Sequence, residues 1–158
     1  MINIATLGVG QYVKAPGTVG SFFGLLAYTV FFVGTSPALQ ALLLLGLIYA
    51  GIIFCEEAEV RLHKRDPGEV ILDEFVAIPL CFFGFTPLQE PYPVWLLLLV
   101  GFVIFRVFDI IKPFGIDRFQ RWPGGQGVVM DDIAAAGATC LLLHLLFGVL
   151  GLLGCFAV

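Results

Sequence analysis

Between Ala15 and Cys55 the chain carries no charged residue, and no other feature limits its fold so severely. At about 20 residues per helical crossing of a hydrocarbon core about 30 Å thick, that run can cross a bilayer twice. Of the 158 residues, 59% are hydrophobic and 13% charged, where a soluble domain has about 25% charged. Much of the apolar surface must therefore face lipid. A net charge of −4 argues against a nucleic-acid partner, since phosphate-backbone affinity comes from clustered Lys and Arg. No basic segment precedes a short apolar stretch with a small-residue cleavage site, so a cleaved signal peptide is not expected.

The charge-free run breaks at Gly34-Thr35-Ser36-Pro37. Ser36 as N-cap and Pro37 at the first helical position would start a second helix that runs to Cys55. After a polar stretch from Glu56 to Glu69, Asp66-Pro67-Gly68-Glu69 reads as the start of a third helix reaching about Phe85. Pro87, Pro91 and Pro93 predict a reversal around Glu90, with Tyr92 and Trp95 at the membrane interface. A fourth helix would end between Asp109 and Ile111, before Lys112-Pro113. Residues 112–130 read as a glycine-rich loop, and Asp131 or Asp132 would open the last helix. The expected fold is all-α: a single domain over 1–158, a polytopic membrane helical bundle of about four to five apolar segments, of which the third and fourth either span or re-enter.

With alternating connections, nineteen of the twenty charged residues fall on one side, Glu90 being the exception. All eight cations lie there, and the positive-inside rule makes that mouth cytoplasmic. Five carboxylates should meet at it: Asp73, Glu74, Asp109, Asp131 and Asp132. Asp73, two turns or about 9 Å from Pro67 if the helix starts there, would lie near the interface rather than the midplane. Several like charges in one apolar setting call for a divalent cation, and hard oxygen ligands favour magnesium over zinc. Capping is the plainer role for Asp131 or Asp132 alone. Asp109 opposes its helix dipole and needs a partner, which Arg106, Lys112 or a metal could provide.

Lys14-Ala15-Pro16-Gly17-Thr18-Val19-Gly20-Ser21 places a cation and two hydroxyls ahead of an apolar helix, either as an anion site or as a Thr18 cap with close packing at Gly20. Gly124-Gly125-Gln126-Gly127 offers the same pair of readings. The four cysteines, Cys55, Cys81, Cys140 and Cys155, lack CxxC spacing and read as inert thiols. Cys55 and Arg61 match a cysteine-phosphatase spacing, but the three intervening glutamates would raise the thiol pKa and repel phosphate.

KAPGTVGS near the N-terminus, DPGEVILDEF at 66–75, FRVFDIIKPF at 105–114 and GGQGVVMDD at 124–132 together resemble the phosphatidylglycerophosphatase A family. The resemblance implies a magnesium-dependent bacterial membrane phosphatase, multi-pass in the inner membrane with its active site facing the cytoplasm. Such an enzyme converts the lipid phosphatidylglycerophosphate to phosphatidylglycerol and inorganic phosphate. It marks Asp73, Glu74, Asp109, Asp131 and Asp132 as metal and catalytic acids, with Asp132 favoured over Asp131. Lys14, Thr18, Ser21, Arg106 and Lys112 would surround the phosphate. The attacker is either metal-activated water or a carboxylate, and nothing here fixes an oligomeric state. Gly115 stands where a second proline is common, and Gln120 where relatives often carry a carboxylate. With only His63 and His144 present, histidine-based phosphatase chemistry is not expected. Two other classes are open on the residues alone: a small membrane cation transporter with a carboxylate-lined site, which midplane acids would favour, and a structural subunit, which leaves the mouth unexplained.

Overall fold

A computed structural model of the chain describes residues 2–8, 14–85 and 92–152. Pro87, Glu90, Pro91 and Cys155 lie outside the described residues. All regular structure within them is helical: α1 (Ile2–Ala5), α2 (Pro16–Phe31), α3 (Pro37–Leu62), α4 (Leu72–Cys81), α5 (Val94–Ile111), a 3-10 helix (Pro113–Arg121) and α6 (Gly125–Leu152). Helices α3, α5 and α6 are long and apolar enough to cross a membrane, and α2 is a shorter apolar helix. Their outward positions, among them Phe22, Leu26, Leu42, Leu45, Leu99, Val103, Leu141 and Leu145, are exposed. Such a surface suits a lipid solvent.

Several boundaries follow the local chemistry. Ser36 caps α3, its hydroxyl accepting from the Leu39 amide, with Pro37 following. α5 ends at Ile111 with Lys112 in a left-handed conformation. Other boundaries differ from the sequence reading. α3 continues past Cys55 through the glutamates to Leu62, so part of the expected polar connection is helix. Asp66 does not cap a helix. It adopts φ +46°, the Val70 amide donates to the Pro67 carbonyl, and the Ile71 amide donates to Ala5, which delays α4 to Leu72. Thr18 is likewise no cap, because α2 starts at Pro16 without a side-chain cap. α6 begins at Gly125, so Asp131 and Asp132 lie in its second turn rather than at its N-terminus. Gly125 is needed inside that helix because a Cβ there would collide with the Ile52 carbonyl of α3. Much of the expected 112–130 loop is thus helical. Tyr92, placed at the interface by the sequence, is buried and its ring lies 4.3 Å from that of Phe147.

Helix α4 organises the bundle. It packs against α2, α3, α5 and α6, and seven of its ten residues are buried. At 1.5 Å per residue it is about 15 Å long, too short to cross the membrane alone. Past Cys81 the chain turns, and the Gly84 amide donates to Gln40 Oε1 near the opposite end of α3. α2 approaches α4 closely: a Cβ on Gly20 would stand 2.6 Å from the Ile71 carbonyl oxygen, and one on Gly24 2.7 Å from that of Phe75. Pro79 within α4 cannot donate to the Phe75 carbonyl four residues earlier, and Gly24 covers that group.

Small residues let membrane helices pack backbone to backbone. Gly24→Ala should therefore destabilise the protein by about 1–3 kcal/mol, the usual cost of overpacking. Gly46→Ala, in α3 with nothing near its Cβ position, should be neutral or stabilising by up to about 1 kcal/mol. Thermal unfolding in detergent distinguishes them; equal behaviour of the two variants would remove the close-approach account.

Candidate active site at the mouth of the bundle

Because α4 starts only at Leu72, Asp73 and Glu74 occupy its first turn, where the helix dipole favours negative charge. Asp132 faces them from α6. One carboxylate oxygen from each of Asp73, Glu74 and Asp132 lies within 4.8 Å of the others, a grouping that could hold a metal ion. Asp73 and Asp132 are buried, 8% and 4% exposed. Asp73 Oδ1 and Glu74 Oε2 have no hydrogen-bond partner. Acids this close and this dry repel one another strongly unless positive charge offsets them, and all-oxygen donors fit magnesium.

The neighbouring charges are already committed. Arg106 Nη1 lies 2.7 Å from Asp109 Oδ2 and 3.6 Å from Glu74 Oε1, and it donates to the buried Ser21 hydroxyl at 3.2 Å. Ser21 in turn donates to the Gly17 carbonyl at 2.8 Å. Ser21 thus holds Arg106 in place from α2. Gly17 is tight for the same reason, since a Cβ there would run into Glu74 Oε1. Lys112 pairs with Asp131. Burial disfavours the Lys112 ammonium, but the hydrogen bond and charge of Asp131 outweigh it and raise the lysine pKa. Of the two adjacent acids, Asp132 joins the cluster and Asp131 takes the lysine, although Asp131 Oδ1 remains unpartnered. Asp109, rather than standing in the carboxylate group, balances Arg106. Lys14 and Thr18 are exposed at the same end of α2.

The loop after α3 and the 3-10 helix are stitched together. Arg65 Nη2 donates to the Gln120 carbonyl at 2.6 Å and to the Trp122 carbonyl at 3.3 Å. The Asp66 amide donates to Glu59 Oε1 at 2.7 Å, and Gln120 Nε2 donates to Asp66 Oδ2 at 3.3 Å. The sequence signal of Asp66 is that of a helix cap; its place in a left-handed turn depends on contacts from distant segments. No local pattern marks Arg65, and the contacts of Gly17 and Gln120, both of which stand in stretches the sequence singles out, are set by α4 and the loop after α3 rather than by their neighbours in the chain.

Cys55 and Arg61 lie on the continuous helix α3, and Arg61 pairs with Glu57 at 2.5 Å. The Cys55 thiol is buried on this helix. His63 terminates α3 at φ +50°, and the His144 ring centroid lies 4.1 Å from that of Phe85 with the rings tilted by 40°. Neither histidine is in the acidic group.

The family model described as Phosphatidylglycerophosphatase A matches residues 3–147. A Bacteroides thetaiotaomicron protein provisionally named a phosphatidylinositol-3-phosphatase is 30% identical over 91% of each chain. Proteins named phosphatidylglycerophosphatase A are also similar: that of Haemophilus influenzae is 28% identical over 85% of this chain and 82% of its own, that of Escherichia coli 30% over 87% and 77%. No solved structure matches the chain.

If Arg106 balances Glu74 and Asp109, Arg106→Gln should lower stability by about 3 kcal/mol, the scale of breaking a buried ion pair. Adding Glu74→Gln should recover a good part of it. Thermal unfolding in detergent with chelator present measures both; an unchanged midpoint for Arg106→Gln would show that the guanidinium is not compensating these acids.

Proposed function

Because the chain belongs to the phosphatidylglycerophosphatase A family and is a phosphatase, we propose that it hydrolyses the phosphomonoester of phosphatidylglycerophosphate to phosphatidylglycerol and inorganic phosphate, using magnesium held by Asp73, Glu74 and Asp132. The observation that carries this reading is the convergence of those three carboxylates, two of them with unpartnered oxygens, beside a guanidinium at one end of an apolar bundle. A transporter would be expected to bind its ion near the midplane. Here Asp132 is only seven residues, or about 10 Å, from the start of α6.

When bound, the cation supplies charge neutralisation for the phosphoryl oxygens in transfer. The protein's own groups do the rest. Asp73 and Glu74 are fixed by the first turn of α4, and Asp132 by α6, so three ligands come from two rigid helices. Arg106, anchored by Ser21, and Lys112, kept protonated by Asp131, contribute positive charge where the phosphomonoester arrives. Lys14, exposed at the entrance, adds to the attraction. Either water or a carboxylate attacks phosphorus as the ester P–O bond breaks and the departing glycerol oxygen takes up a proton; on the carboxylate route, water then hydrolyses the acyl phosphate to free the acid and release phosphate. The bundle's apolar surface keeps the acyl chains in lipid while the headgroup reaches the mouth.

Chelation should abolish phosphate release from phosphatidylglycerophosphate by the purified protein, with magnesium restoring it. Asp73→Asn and Asp132→Asn should each lower turnover by about a hundredfold or more. Both should fold, because each removes a charge from a crowded site, and Cys55→Ser should be near wild type. Full activity after exhaustive chelation, or in Asp132→Asn, would remove the metal site from the reaction.

The proposed location is the bacterial inner membrane with the mouth in the cytoplasm, from the clustering of all lysines and arginines on that side. A cysteine introduced at Arg121 should be shielded from an impermeant thiol reagent in intact cells and react in opened ones. Labelling in intact cells would reverse the orientation.

A further inference from the structure

At the end of the bundle opposite the acids is a cavity of about 230 Å³ lined by Gly84, Phe85, Tyr92, His144, Phe147 and Gly148. His144 stands twelve residues beyond Asp132 on α6, or about 18 Å along the helix axis. Gly84 is tied to Gln40, one turn into α3, and Tyr92 stands two residues before α5. The cavity therefore lies where these two apolar helices begin, level with the lipid headgroups on the side away from the acids.

The chemistry of its wall is one-sided. Among the described residues no charged side chain lines it, and three of its N–H groups are already engaged. The Gly84 amide donates to Gln40 Oε1 at 3.0 Å, the Phe85 amide to the Phe82 carbonyl at 3.2 Å, and His144 Nδ1 to the Cys140 carbonyl at 2.9 Å. A carbonyl only accepts, so Nδ1 carries the proton and Nε2 of the neutral ring holds a lone pair. Among the described residues Nε2 has no hydrogen-bond partner. It faces Gly84, where a Cβ would stand 3.6 Å from it. Three aromatic rings complete the wall: Phe85 and Phe147 with centroids 6.4 Å apart and nearly perpendicular, and Tyr92 against Phe147.

Ring faces carry the negative lobe of the quadrupole and attract cations. A phosphate would meet that same negative potential and a lone pair, and be repelled. A hydroxyl would satisfy Nε2 but gain little from the rings. An ammonium with its own N–H groups answers both.

We propose that this cavity binds the primary ammonium of a phospholipid headgroup, with His144 Nε2 accepting one N–H and the rings of Phe85, Tyr92 and Phe147 beside the charge. It is a lipid site separate from the phosphatase mouth and does not depend on the reaction there. Leu145 and Val149, exposed on the same stretch of α6, give the acyl chains an apolar surface.

The test titrates the purified full-length protein in detergent with dioleoyl phosphatidylethanolamine, phosphatidylcholine and phosphatidylglycerol, reading bound lipid by native mass spectrometry. The choline lipid keeps the charge but has no N–H, and the glycerol lipid has hydroxyls but no cation. Wild type should bind the ethanolamine lipid about tenfold more tightly than the choline lipid, the scale of one hydrogen bond to a charged group. His144→Phe keeps a ring and removes the lone pair, so it should bring the two lipids level. Gly148 has nothing near its Cβ position, so Gly148→Leu should fold while crowding the cavity, and should weaken the ethanolamine lipid by a similar factor. Equal binding of the three lipids by wild type, preference for the glycerol lipid, or an ethanolamine preference that survives both substitutions would overturn the assignment.

Discussion

Mutual repulsion among Asp73, Glu74 and Asp132 is the constraint on which the rest of the architecture depends. A bundle that is otherwise apolar gains nothing by bringing three acids to within 4.8 Å, and burial of each carboxylate costs free energy unless its charge is met. The surrounding structure answers that cost in part. The α4 N-terminus directs its dipole at two of the acids, Arg106 lies beside Glu74, and Ser21 holds Arg106 from the facing helix. The remaining unpartnered oxygens are what a hard cation would occupy.

The same constraint accounts for α4. A ten-residue helix does not cross a membrane, yet α4 occupies the centre, in contact with four other helices. Starting at Leu72 places the acids at the bundle axis instead of on its lipid-facing surface. Gly20 and Gly24 then allow α2 to close over them. Close packing at Gly20, one of the roles its sequence offers, is the one the structure shows, and Gly24 extends it one turn further along α2.

Much of this was legible from the residues, and the failures have physical causes. The charge-free run, the Ser36-Pro37 start of α3 and the Lys112-Pro113 end of α5 are local signals, and local chemistry decides them. Asp66-Pro67-Gly68-Glu69 carries an equally good local signal for a helix start, but the Ile71 amide is claimed by Ala5 and Asp66 by Gln120. Gly124 to Gly127 looks like a loop, yet close approach to α3 requires glycine within the α6 helix. The five acids were identified as neighbours, but which of them share a centre depended on side-chain pairing. Arg106 takes Asp109, a pairing that spacing alone placed level with a metal, while Lys112, the other partner the spacing offered Asp109, takes Asp131, whose plainer expected role was a helix cap.

The most direct measurement is the effect of a divalent cation on thermal unfolding of the purified protein, without substrate. If the three acids form the metal centre, magnesium or manganese should raise the wild-type midpoint in a concentration-dependent manner. Asp132→Asn should start from an equal or higher midpoint in chelator and lose most of the metal response. A wild-type midpoint indifferent to either cation, or an undiminished response in Asp132→Asn, would contradict the account.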